Sequence, residues 1–266
     1  IMDIPVTVQK IQINANFNGT LISSLAVTLT GAADGLGFQL LSQTGNVLMS
    51  PIAPAAFQCL SGFEQIRGLF NLSSAGNNLI QGNFLVDGAG TDVANFSVTS
   101  NSQLTFGGNF ELNNPSSFAT TTNSTIIFRK ASAGPSTIDI ENAAGVTAVF
   151  NNVTFDENAN NTGDNHVNLT AGTVMVVSGL LNIQSGIIGG DATAGLVVQG
   201  NVQSSGTVTA VGPGSTTHTA FLQFAGTVDQ TVNFPGADLD KWSGPVEINK
   251  PTGNTTNVSL LSPWLL

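Results

Sequence analysis

The densest group of oxygen ligands in the chain is one polar segment, Phe155-Asp156-Glu157-Asn158-Ala159-Asn160-Asn161-Thr162-Gly163-Asp164-Asn165-His166. Ca2+ takes several carboxylate and amide oxygens from a flexible loop, so Asp156, Glu157, Asn158 and Asp164 form a candidate Ca2+ set. The ligand order is not that of an EF-hand, and a solvated loop between strands is the competing reading. A second group is Asp238, Asp240 and Trp242, with Lys241 between. An indole can stack on a sugar ring, and paired carboxylates do the acid–base work of polysaccharide cleavage, so these three residues are a candidate sugar-binding group. The plainer alternative is a wide surface turn with Trp242 folded back on the core. His166 and His218 are the only histidines, and no Cys or His lies at zinc-ligand spacing from either. No Gly-x-Ser-x-Gly elbow is present. No catalytic residue is assigned, and no cofactor is expected beyond the Ca2+ candidate. The single cysteine, Cys59, stands among Ala56, Phe57 and Leu60 and is expected to be a buried small hydrophobe rather than a reactive thiol.

The elements that hold such residues can be read from composition. Charged residues make up 8% of the 266, against about 25% in an ordinary soluble chain, while hydrophobic residues reach 41%. The polar surface must therefore come from Asn, Ser, Thr, Gln and Gly. That disfavours helices, whose wet faces carry Lys, Glu and Arg, and the apolar content disfavours disorder. A net charge of -10 with six scattered basic residues excludes a nucleic-acid or anionic-membrane partner. No apolar run is long enough to span a bilayer, and the first residues lack the basic head and apolar middle of a signal peptide.

The dominant pattern is short period-two alternation broken by Gly, Gly-Asn or Ser-Gly. Examples are Leu104-Thr105-Phe106 before Gly107-Gly108-Asn109, Val174-Met175-Val176 before Ser178-Gly179, and Leu196-Val197-Val198 before Gln199-Gly200. Such brief turns do not make ordinary hairpins. They suit a chain that winds, each strand pairing with the strand one coil on, so that stacking supplies a core no coil has alone. The expected fold is all-β, a parallel β-helix (β-solenoid) over residues 56–266 with roughly 20 residues per coil. Residues 1–55, whose stretch Gly19–Gly31 reads as longer and less punctuated, are expected to be an N-terminal cap or small β module ending at Pro51 and Pro54. Tandem β-sandwiches are the alternative fold. Asp139 and Glu141 alternate with Ile138 and Ile140 and are expected to face outward. Asn-x-Ser/Thr triplets recur, including those at Asn71, Asn95, Asn152 and Asn168.

Phe221-Leu-Gln-Phe-Ala-Gly-Thr-Val-Asp-Gln-Thr-Val-Asn-Phe, followed by Pro245-Val-Glu-Ile-Asn-Lys-Pro-Thr-Gly, resembles repeat modules of large secreted bacterial β-solenoid surface proteins. In those, a strand with a Gly-x-x-x-Gln core precedes a strand ending in Asn-Lys and a Gly turn. The resemblance covers about the last hundred residues and transfers no catalytic motif. It implies a non-enzymatic extracellular structural or adhesive module of a surface fibre, sheath or adhesin, located outside the cell or on its surface. Partners would be neighbouring modules or subunits through the solenoid ends, and surface glycans. The alternatives are a polysaccharide lyase or hydrolase on a β-helix, and a phage tail fibre or tailspike.

Overall fold

A computed structural model of the chain describes residues 4–88, 90–99, 101–113, 115–129, 136–156, 166–185, 187–204, 220–233, 244–251, 253 and 255–262. The fold is an all-β parallel β-solenoid, with no helix among the described residues. The strand pairings are parallel and join each strand to one a full coil away, which removes the sandwich alternative. The chain divides into two compact units, residues 1–126 with 141–148, and residues 127–140 with 149–266.

The first unit stacks three sheets. One contains Val6–Val8, Val27–Leu29, Phe57–Cys59, Asn77–Ile80 and Gln103–Phe106. The second contains Ile11–Ile13, Leu36–Leu40, Gly62–Gln65, Phe84–Asp87 and Phe110–Asn113, and the third Thr20–Ser23, Asn46–Met49, Gly68–Ser73, Ala94–Thr99 and Ser116–Thr120. The pairing Val27↔Phe57 carries the first sheet across Pro51 and Pro54. The second unit repeats the plan. Its first sheet runs through Asn152–Asp156, Leu181–Ser185, Val202–Gln203, Gln230–Asn233 and Val258–Leu260. Its second runs through Ser136–Ile140, His166–Leu169 and Ile187–Gly189; its third begins in Thr147–Phe150 and continues through Val174–Val177, Gly195–Val198, Phe221–Phe224 and Val246–Ile248.

The coil is longer than the 20 residues expected from the sequence. Val6 pairs with Val27, a step of 27 − 6 = 21 residues, whereas Ser136 pairs with Val167, a step of 167 − 136 = 31. Strands run from two to six residues, and the connecting segments vary as well, and that blurs the repeat. The expected long stretch Gly19–Gly31 is two strands, Thr20–Ser23 and Val27–Leu29. Ser23 turns inward, and its hydroxyl donates to the Leu25 carbonyl at 3.1 Å, which makes a corner without glycine.

Inside the first unit, phenylalanines stack coil over coil. Phe38, Phe63, Phe84 and Phe110 are register partners with ring centroids 4.8, 5.3 and 5.0 Å apart. Phe70, Phe96 and Phe118 form a second column at 4.9 and 5.4 Å. The two columns meet edge to face within each coil, as in Phe84–Phe96 at 5.0 Å and 87°. Both geometries are the ones the ring quadrupole favours. Tyr is absent from the chain and Phe numbers 16, so these columns bury no hydroxyl that needs a partner.

Corners are sharp because backbone passes over backbone. A Cβ on Gly200 would lie 1.9 Å from the Gly179 carbonyl oxygen, and one on Gly108 would lie 2.6 Å from the Gly82 carbonyl. Only glycine lets successive coils approach so closely.

Candidate functional site

Polar side chains in this solenoid lie at corners, where they tie coil to coil, or on outward sheet faces. The corner at Asn78 is the fullest example of the first kind. Asn78 is buried; its carboxamide donates to the Gly76 and Gln103 carbonyls at 2.9 and 3.0 Å and accepts the Phe57 amide at 2.9 Å. Buried amides need such complete partnering, because an unpaired one costs a desolvation penalty. Nearby, the Ser74 amide donates to the Ser102 hydroxyl at 2.8 Å.

The Gly-x-x-x-Gln and Asn-Lys pattern resolves into another corner. Gln230 is fully buried; its Nε2 donates to the Val198 carbonyl at 3.0 Å and also to the Gly200 carbonyl, both a coil away. Its Oε1 accepts the Gly226 amide at 3.0 Å and the Lys250 ammonium. Lys250 also donates to the Val228 carbonyl at 3.1 Å. Partial burial lowers the Lys250 pKa, and the Asp229 carboxylate opposes that shift. Gly226, Gln230 and Lys250 are thus a structural clasp over three successive coils.

On the outward face of the first unit's third sheet, amides and hydroxyls stand in register. Asn71 pairs with Ser97 and Asn95 with Ser117, and Asn71 Nδ2 donates to Ser97 Oγ at 2.8 Å. Two of the Asn-x-Ser/Thr triplets, those at Asn71 and Asn95, start on this face. In Asn71-Leu72-Ser73, Asn95-Phe96-Ser97, Asn152-Val153-Thr154 and Asn168-Leu169-Thr170 the middle residue is buried in the core. Period-two alternation with Asn, Ser and Thr at the outward positions produces the triplet on its own.

The second sheet of the first unit carries a carboxylate column. Glu64 and Glu111 both pair with Leu85 from opposite sides, and Asp87 pairs with Asn113. Asn113 Nδ2 donates to Glu111 Oε1 at 2.6 Å, and Gln39 donates to Glu64. Lys10 bridges Asp34 at 2.7 Å and Gln39 at 3.1 Å. Burial, and then the charges of Glu111, Glu141 and Glu64, raise the Asp87 carboxyl above its ordinary value. Lys10 and Leu36 N–H hold Asp34 below the ordinary value. Sequence reading missed this column because its members lie more than twenty residues apart and meet only through the coil register.

Asp156 lies at the end of its strand and is paired with Arg129, whose Nε donates to Oδ2 at 2.8 Å. Its proposed co-ligands Glu157, Asn158 and Asp164 lie outside the described residues, as do Asp238, Asp240, Trp242 and His218. Among the described residues no three His, Cys, Asp or Glu side chains group as metal ligands. Asp139 accepts the Thr170 hydroxyl at 2.7 Å. Cys59 is buried, and burial pushes its thiol up to about 11, as suits a core residue rather than a nucleophile. Compared with known proteins, the chain matches no family model, no curated protein and no solved structure.

Proposed function

We propose that the chain is a non-enzymatic structural and adhesive module of an extracellular surface fibre, sheath or adhesin. The observation that carries this reading is how its polar chemistry is used. Gln230, Lys250, Asn78 and Ser102 bond one coil to the next rather than converging on an open cleft. Such cross-coil bonds act in parallel along the strands and resist stretching and unravelling, which a load-bearing fibre requires. Six basic residues in 266 also leave few trypsin-type cleavage points. The outward Asn71, Asn95, Ser97 and Ser117 ladder offers a flat, uncharged array of amides and hydroxyls suited to surface glycans. Adjacent modules or subunits join through the ends of the coil.

The test is surface exposure. An antiserum raised against the chain is expected to label intact, unpermeabilised cells of the source organism. Labelling that requires permeabilisation would overturn the reading.

A further inference from the structure

We infer that Lys10 and Gln39 condense to an intramolecular amide with release of ammonia, Glu64 moving the proton, so that two adjacent coils of the first unit are stapled covalently. This goes beyond the structural-module reading and does not depend on where the chain is located. Three successive coils supply the three groups. Lys10 precedes the strand Ile11–Ile13, Gln39 lies on Leu36–Leu40 and Glu64 on Gly62–Gln65. Gln12 pairs with Gln39 and Gln39 with Glu64, so the amide and the carboxylate are neighbours in one column of the second sheet. Lys10 Nζ donates to Gln39 Oε1 at 3.1 Å, and Gln39 Nε2 donates to Glu64 Oε2. These partners fix which way the amide points. An ammonium only donates and a carboxylate only accepts, so the carbonyl oxygen faces Lys10 and the amide nitrogen faces Glu64.

That is the arrangement amide exchange needs: an amine at the carbonyl, and a proton carrier at the nitrogen that departs. The Lys10 side chain is 15% exposed, so the amine meets the amide with little competing water. One ammonium proton leaves through Asp34, whose Oδ2 lies 2.7 Å from Nζ and which opens to solvent. The free amine then bonds to Gln39 Cδ, held beside it at high effective concentration. Both nitrogens now share that carbon, and Glu64 takes a second proton from Nζ and gives it to Nε2. The Cδ–Nε2 bond breaks with its electron pair on nitrogen, and ammonia departs, taking a proton from water. An ammonium side chain and a carboxamide thus become a secondary amide and an ammonium ion, with no oxidant, reductant or co-reactant. The new bond joins residues 39 − 10 = 29 positions apart. It constrains the unfolded chain as a disulfide would, in a chain whose single cysteine cannot form one internally.

Mass spectrometry of the refolded chain tests this. The wild-type chain is expected to become lighter than its sequence requires by one ammonia. Trypsin does not cut after an acylated lysine, so residues 1–67 are expected to emerge as one fragment ending at Arg67. Lys10→Arg keeps the charge and removes the nucleophile; Gln39→Glu removes the departing nitrogen. Both are expected to keep their full mass and their β-sheet circular dichroism. Glu64→Gln is expected to slow the loss of ammonia at least about 100-fold. Should Glu64→Gln lose its β-sheet circular dichroism, Glu64→Asp, which draws the carboxyl back, replaces it. A folded wild-type chain that keeps its full mass, a loss of ammonia that persists in Lys10→Arg, or cleavage after Lys10 in the lighter species would overturn the inference. Loss at the wild-type rate in the Glu64 variant would overturn the role given to that carboxylate. Full mass in a chain whose antiserum labels intact cells removes the staple and leaves the structural reading standing.

Discussion

Phe84 packs among the rings of the first unit, with centroids 5.3 Å from Phe63, 5.0 Å from Phe96, 4.8 Å from Phe106 and 5.0 Å from Phe110. It is buried, and the rings around it are held by backbone ladders on three sheets, so the site cannot collapse when it is emptied. Phe84→Ala should therefore cost the full transfer-plus-cavity amount for a core Phe, about 3–5 kcal/mol. The only cysteine provides the readout. Cys59 is buried one coil away, on a strand paired with Asn77–Ile80, and reacts only when the coil opens. Under conditions where opening and reclosing outpace labelling, the rate of reaction with a thiol reagent follows the opening equilibrium. At 1.4 kcal/mol per tenfold, Phe84→Ala should speed labelling about 100- to 3,000-fold. Phe84→Leu, which keeps an apolar filler, should speed it about tenfold. Phe17→Ala, at a ring 37% exposed outside the columns, should change it little. If Phe84→Ala keeps its β-sheet spectrum and labels less than tenfold faster, the Phe columns are not what closes this coil.

Three further outcomes follow from the same geometry. The raised Asp87 pKa means the folded chain binds its proton more tightly than the unfolded chain, so that carboxylate destabilises at neutral pH and the penalty fades as pH falls through the folded value. Asp87→Asn should therefore stabilise by about 0.2–1 kcal/mol at pH 7 in urea unfolding, with a difference that vanishes at acid pH; a difference that grows on acidification would contradict the carboxylate column. Gly200→Ala places a methyl carbon where the Gly179 carbonyl passes, and calorimetry should show a melting temperature lowered by several degrees, whereas an unchanged value would refute the close approach. Gln230→Leu strands the Gly226 amide and the Val198 and Gly200 carbonyls, a loss of about 2–4 kcal/mol by denaturant midpoint; Lys250→Met, which removes one donor at a partly exposed edge, should lose less.

The coil was legible in the sequence because alternation and glycine corners are local signals. Val174–Val177 and Gly195–Val198 read directly as strands, and Gly200 reads as the bend after one. The repeat length was not legible, since strands and connections both vary and a coil runs from 21 to 31 residues. Serine corners were also missed. Ser23, Ser74 and Ser102 turn the chain by bonding backbone groups, and in an Asn/Ser/Thr-rich sequence nothing marks them apart from surface serines. The candidate faces needed register. Glu64, Asp87 and Glu111 become neighbours, and Asn71 meets Ser97, only when the coil has closed. Of the residues chosen for chemistry, Asp156 is placed beside Arg129, which already occupies one of its carboxylate oxygens.

The parallel rung-on-rung register is tested most directly by a designed cross-link. In a Cys59→Ala background, Asn71→Cys with Ser97→Cys places two thiols on register partners of adjacent strands. Strand spacing there is about 4.8 Å, within the range a disulfide bridges. Mild oxidation should close this pair completely and leave the circular dichroism unchanged, while Asn71→Cys with Ser117→Cys, two coils apart, stays reduced. Failure of the first pair to close in folded protein, or equal closure of the second, would contradict the solenoid register on which the account rests.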